Sequence, residues 1–179
     1  MTVSLRTARL ILRPPTAEDF EGWAAMDSDG TAMRFIGGRC GRNQSWEGLA
    51  TAVGMWTLRG CGLFSVLEAD SGRWIGRVGP WLPEGGLGPE IGWSVDRSAW
   101  GRGYATEAAE AATAWAFDAL GWSEVIHCID ARNAASIVVA ERLGSRWLRA
   151  DVEGGHPVEV YGQTRTEWLA RPKVVSRAG

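Results

Sequence analysis

The segment Trp100-Gly101-Arg102-Gly103-Tyr104-Ala105-Thr106-Glu107 stands between a stretch that reads as a β-strand and one that reads as an α-helix. Its glycines and Ala105 remove side-chain bulk where a helix begins. Unpaired backbone N–H groups and the positive helix end can then converge on one diphosphate. The pattern is an anion cradle. A dinucleotide site would need glycine where Thr106 stands and an acidic residue closing the next strand, whereas Glu124 precedes that strand. A P-loop would need Lys-Ser or Lys-Thr after its last glycine, and Tyr104-Ala105 stands there instead. A second motif, Asn133-Ala134-Ala135-Ser136, opens another helix after an apolar strand. Asn133 and Ser136 are both competent helix caps, and the Ser136 hydroxyl can also donate a hydrogen bond to a ligand.

Five segments together resemble the GNAT N-acetyltransferases, and among them the Rim-type branch that includes the N-terminal acetyltransferases of ribosomal proteins. They are Thr7-Ala8-Arg9-Leu10-Ile11-Leu12-Arg13-Pro14, Ile75-Gly76-Arg77-Val78-Gly79, Glu90-Ile91-Gly92-Trp93, Trp100 to Ala108, and Asn133-x-x-Ser136 running to Glu141-Arg142-Leu143-Gly144. The resemblance covers nearly the whole chain. It implies an α/β fold whose central mixed and mostly antiparallel sheet has a splayed pair of central strands, with helices on its faces. It further implies that backbone at Gly101, Arg102, Gly103, Tyr104 and Ala105 binds the pyrophosphate of acetyl-CoA, with Asn133 and Ser136 nearby. The pantetheine arm would enter the splay beside Gly92, Trp93 and Val95, where N–H groups near Gly92 and Trp93 face the thioester oxygen. The family's glutamine at the head of the cradle is Trp100 here.

The activity implied is transfer of an acetyl group from acetyl-CoA directly to a primary amine, a protein N-terminus or a small amine, within a ternary complex. An alkylammonium has no lone pair to attack with, so a base must take its proton. By resemblance that base is Glu90. Many family members carry a tyrosine acid seven residues after the asparagine, a position that is Ala140 here. Ser136 is the substitute that could assist the leaving thiolate. His127 and His156 are secondary candidates for the base. Cys128, between apolar neighbours, reads as an inert small hydrophobe rather than an acyl carrier. Glu90, Asp151 and Glu153 would suit a cationic acceptor, whose entrance the 28–41 and 151–156 connections would line. The alternative from another class is a CoA-binding sensor or interaction module without turnover.

Composition bounds the same picture. The 179 residues suit one domain, expected over 1–170, with a loose tail over 171–179. The formal net charge of −2 and scattered basic residues give no general attraction to nucleic acid. Three isolated cysteines suggest neither a disulfide framework nor a zinc site, so no metal is expected. The N-terminus has no apolar stretch of signal-peptide length, and no segment suits a membrane, so the expected setting is the cytoplasm. Monomer and homodimer both remain open. The 11 tryptophans are expected to fill the core and line a groove.

The elements that must position these groups follow from periodicity and punctuation. Strands are expected over 9–13, 63–68, 73–81, 90–95, 125–129, 146–150 and 158–164. Helices are expected after Pro15, from a Ser45 cap to Leu58 with Leu49, Val53 and Trp56 inward, over 104–120, and over 134–143. The 28–41 stretch reads as a mobile glycine-rich connection. The strand, helix, strand order around the cradle predicts a right-handed parallel crossover.

Overall fold

A computed structural model describes residues 3–171. Its strands are β1 (Leu5–Arg6), β2 (Leu10–Arg13), β3 (Phe64–Glu68), β4 (Trp74–Trp81), β5 (Glu90–Val95), β6 (Glu124–Ile129), β7 (Arg146–Glu153) and β8 (His156–Thr164). Its helices are α1 (Phe20–Ser28), α2 (Arg42–Arg59), α3 (Tyr104–Asp118), α4 (Ala134–Arg142) and α5 (Arg165–Ala170). All eight strands form one open sheet in the order β1-β2-β3-β4-β5-β6-β8-β7. Only β5 and β6 run parallel, joined through the α3 crossover.

The sheet holds α3 closely because Ala108, Ala109, Ala112 and Ala116 are fully buried and carry no bulk beyond Cβ. Beside them Phe64 packs edge-on to Trp56 and Trp115, with ring centroids 4.8 and 5.3 Å apart. A second apolar cluster pins the α1–α2 layer through Trp23, Leu49 and Ala52, packed against Phe20 and Trp74. Pro80 is tolerated inside β4 because it faces Ile91, whose own backbone groups turn away toward β6, so no ladder bond is lost there.

The central strands separate as expected. β5 and β6 share a single paired position, Glu90 opposite Ile126, after which the ladder stops. Side chains span the gap where backbone does not: His127 Nδ1 lies 2.8 Å from the Ile91 carbonyl oxygen. That oxygen can only accept, so Nδ1 carries the proton and Nε2 accepts from Ser145 Oγ at 3.0 Å. Ser145 Oγ in turn accepts from Gln163 Nε2 at 2.9 Å. The opening between the strands is thus fixed from β5 through β6 to β8.

Several expectations need correction. α2 begins at Arg42 with Gly41 as its cap, and Ser45 is buried within the first turns. Val53 is 40% exposed; the inward stripe is Ser45, Leu49, Ala52 and Met55. The 28–41 connection folds into successive turns closed by Met33 N–H to Asp29 and Gly38 N–H to Met33, with Met33 buried. β7 and β8 run longer than periodicity suggests, meeting at Gly154-Gly155, both at positive φ as a tight two-residue hairpin turn requires. β1 and α5 give too short a pattern to register. Arg171 is docked, its guanidinium 3.2 Å from the Trp168 ring centroid. The remainder of the expected tail lies outside the described residues.

Candidate active site

The anion cradle is built as the glycines demand. Gly101 and Gly103 adopt φ of 74° and 77°, and Gly103 is the N-cap of α3. The first N–H of this turn to find an acceptor is that of Glu107, on the Gly103 carbonyl at 3.1 Å. Among the described residues the N–H groups from Gly101 to Thr106 have no protein acceptor. They form a donor array at a positive helix end. Such an array fits a diphosphate.

A brace absent from the sequence reading fixes this turn. Arg9 reaches from β2's leading edge, donating through Nε to Glu107 Oε2 at 2.7 Å and through Nη1 to the Arg102 carbonyl at 2.9 Å. Its guanidinium lies 4.6 Å from the Tyr104 ring centroid. Thr7 Oγ1 donates to the other Glu107 oxygen at 2.6 Å. Glu107, in the first turn of α3, therefore has its charge matched by protein. The conjunction of Thr7, Arg9 and Glu107 spans about a hundred positions, so local periodicity carries no trace of it. The Arg102 side chain is mostly exposed and 3.7 Å from Glu68.

In the splay, backbone alternation decides which groups face the gap. The Pro89 carbonyl accepts from Ile126 N–H at 3.0 Å and that of Ile91 accepts from His127, so both point toward β6. The N–H of Trp93 then opens into the same gap, while that of Gly92 turns toward Gly79 on β4. Of the two expected donors, only Trp93 faces the slot. The Val95 carbonyl accepts from Trp100 Nε1 at 2.7 Å, tying the slot's end to the cradle.

Asn133 and Ser136 divide their work. Asn133 Oδ1 accepts the Ser136 N–H at 3.2 Å and caps α4. The Ser136 hydroxyl, free of capping, accepts from Trp93 Nε1 at 3.1 Å and keeps its own proton to donate. Ala140 is fully buried, so no hydroxyl acts from that position.

Glu90 sits at the other end of the gap. Burial first, and then the charge of Glu153, push its carboxyl up to about 8, against the opposing pull of the Cys128 N–H at 3.3 Å. Ligand atoms of Glu90, Cys128 and Glu153 lie within 4.8 Å of one another. Burial and the two carboxylates hold the Cys128 thiol far above its ordinary range, so a thiolate is disfavoured. His127 is buried and both its ring nitrogens are engaged; burial lowers its pKa to about 4, which keeps it neutral. His156 opens β8 and faces the shared cavity. Asp151 is paired with Arg149 at 2.9 Å and does not line it.

One cavity of about 720 Å³ joins the splay, Glu90 and the start of α4, and residues 101–106 do not line it. It is lined by Trp93, Asn133 and Ser136, by Glu90 and Glu153, and by Trp23 and Arg77. Residues 34–38 and His156 also line it.

A family model described as an acetyltransferase (GNAT) domain matches residues 9–146. The acetyltransferase from Agrobacterium tumefaciens str. C58 superposes with a TM-score of 0.83 at 28% identity, over 91% of this chain and 95% of that one. RimL, a ribosomal L7/L12 alpha-N-protein acetyltransferase, shares the fold with a TM-score of 0.76 at 13% identity, over 92% and 95% of the two chains. The uncharacterized protein YkkB of Bacillus subtilis (strain 168) is 33% identical over 104 residues, which is 57% of this chain and 60% of that protein's length. Sheet, splay and cradle define an acyl-CoA transferase architecture. The chain belongs to the GNAT acetyltransferase family. That family uses acetyl-CoA as co-substrate. Among the described residues no helix is long and apolar enough to cross a membrane.

Proposed function

We propose that the protein is an N-acetyltransferase that moves an acetyl group from acetyl-CoA directly to a primary amine. The single observation carrying this reading is the cavity that half-buried Glu90 and Ser136 both line within the β5–β6 splay, with the donor array of 101–106 standing beyond the Val95 end of that splay. In this reading Gly101, Arg102, Gly103, Tyr104 and Ala105 present N–H groups to the pyrophosphate, and Asn133 holds the start of α4 beside it. The pantetheine arm lies along Trp93 and Val95.

The acceptor arrives as an ammonium ion, drawn by the charge of Glu153 beside Glu90. Its positive charge favours ionised Glu90, which then takes the proton that frees the nitrogen lone pair. The amine forms its bond to the acyl carbon while the carbonyl electrons move to oxygen. Trp93 N–H, already turned into the gap, stabilises that oxyanion. The carbonyl re-forms as the C–S bond breaks, and the second proton lost by the nitrogen passes through the Ser136 hydroxyl to the departing sulfur, so the products are the neutral amide and CoA thiol.

Cys128 forms no acyl intermediate, since its thiol is held protonated. The Rim-type resemblance favours a peptide N-terminus as acceptor, and small amines fit the same acidic centre. Initial velocities measured against both substrates test the scheme. Direct transfer gives intersecting double-reciprocal lines, whereas parallel lines would place an acyl-enzyme on the path.

A further inference from the structure

Six Asp, Glu and Arg side chains line the cavity: Arg34, Arg77, Glu90, Asp130, Arg132 and Glu153. Most of their charge is matched within the protein. Arg77 Nη2 pairs with Asp27 Oδ1 at 2.8 Å, and Arg132 Nη2 pairs with Asp130 Oδ2 at 2.6 Å. Glu90, pushed up to about 8 by burial and the charge of Glu153, is mostly neutral at pH 7. Arg34 and Glu153 are left over. Among the described residues neither makes an ion pair, and Arg149, on the same strand as Glu153, is bound to Asp151 at 2.9 Å. The cavity wall therefore presents one unmatched cation and one unmatched anion.

The two charges belong to neighbouring clusters. Arg34 is exposed in the 28–41 connection, 5.0 Å from the Phe35 ring centroid, and Arg132 is also exposed, 5.9 Å from the same centroid. The carboxyl of Asp130 is held down to about 2 by Arg132 first, with the charge of Arg34 adding to the pull. Two guanidinium groups, one carboxylate and one aromatic ring thus leave a net positive charge on this part of the wall. Glu153 belongs with Glu90 and Cys128, whose ligand atoms lie within 4.8 Å of its own. Cys128 and Asp130 are two residues apart at the end of β6, about 7 Å of extended backbone, and both line the cavity. An acceptor that is only a cation satisfies Glu153 and is repelled by Arg34, whereas one that also carries an anion matches both charges.

We infer that Arg34, supported by Arg132, selects an acceptor that carries a carboxylate a few bonds from its amine. The inference rests on the N-acetyltransferase reading and narrows its substrate class. The carboxylate is that of a free amino acid or that of an acidic first residue in a peptide; a plain polyamine leaves Arg34 unmatched.

The test compares kcat/KM within two isosteric pairs, γ-aminobutyrate against its amide and the peptide amide Asp-Ala-Ala against Asn-Ala-Ala. The wild type should prefer the carboxylate member of at least one pair by about 3- to 10-fold, chiefly through KM, the worth of a charge-assisted contact reduced by exposure. Arg34→Gln should erase that preference and Arg34→Lys should keep most of it. The uncharged members and the KM for acetyl-CoA should change less than about twofold in both variants. The responding pair identifies the source of the carboxylate. Uncharged members used as well as the carboxylates in both pairs, equal losses on both members of a pair in Arg34→Gln, or a loss confined to the KM for acetyl-CoA would overturn the inference. If the wild-type protein turns over no amine of a broad panel, the N-acetyltransferase reading fails. Calorimetry of γ-aminobutyrate and Asp-Ala-Ala amide with the CoA-loaded protein then decides the role of Arg34 separately. Binding weakened by Arg34→Gln supports it, and absent or unchanged binding overturns it.

Discussion

Glu90 offers the sharpest handle on the chemistry, because its environment predicts where activity appears on the pH scale. With its carboxyl near 8, about one molecule in eleven of the free enzyme carries the carboxylate at pH 7 and about ten in eleven at pH 9. A base-limited kcat/KM therefore climbs about tenfold across that interval. The amine's own ionisation adds a second slope, so the same acceptor must be run on three proteins. Glu90→Gln should lose about 10²- to 10⁴-fold at pH 9 and lack the Glu90 limb, while acetyl-CoA affinity holds. Glu153→Gln removes the second cause of the shift but leaves burial, the first, so the inflection should move down part of the way. Stability supplies an independent check with its sign fixed by linkage. A carboxyl whose folded pKa lies above its unfolded value contributes stability at low pH that is lost as pH rises through the folded value. Between the ordinary carboxyl range and about 8, the wild type should lose up to about 1.4 kcal/mol per pH unit relative to Glu90→Gln, read from denaturant titrations. The assay is CoA thiol release between pH 6 and 10. A limb near 8 that survives in Glu90→Gln, or an inflection that rises in Glu153→Gln, would refute the assignment and move the base to His156.

Gly103→Asp should weaken acetyl-CoA and CoA about 10- to 1000-fold by calorimetry, since like charges a few ångströms apart cost about 1 to 4 kcal/mol. A Cβ there meets only Arg9 Nη2 at 3.6 Å, so Gly103→Ala should isolate the smaller backbone strain at φ +77°. Unchanged affinity in folded Gly103→Asp would remove the cradle from the account. Cys128→Ala should keep most activity, while Ser136→Ala should lower kcat about 2- to 10-fold, the worth of one hydrogen bond. Wild-type turnover in Ser136→Ala would leave that serine only its contact with Trp93.

The parts legible in the sequence were those whose signal is local. Glycines at 101 and 103, the alanines of α3 and the cap at Asn133 each carry their signal within a few residues. What stayed hidden depends on chain folding back on itself. The Arg9–Glu107 brace, the His127 bridge across the splay and the buried Arg77–Asp27 pair each join residues dozens of positions apart. Glu153 stood among the expected acidic residues, but its approach to Glu90 depends on the β7–β8 hairpin turning at Gly154-Gly155. Ser45 misled because a serine before an apolar stripe resembles a cap. Tertiary packing buried it instead, and Gly41 took the N-terminus.

The central claim is direct acetyl transfer to an amine, and one mixing experiment tests it most closely. Protein, acetyl-CoA and a panel of amines and N-terminal peptides are combined at pH 9, with CoA thiol, acetylated amine and intact protein mass followed together. The account predicts thiol and acetylated amine in equal amounts for at least one acceptor, with no acetyl mass accumulating on the protein. Acetyl-CoA that binds without thiol release across the panel would mark a sensor, and a competent acetylated Cys128 would contradict direct transfer.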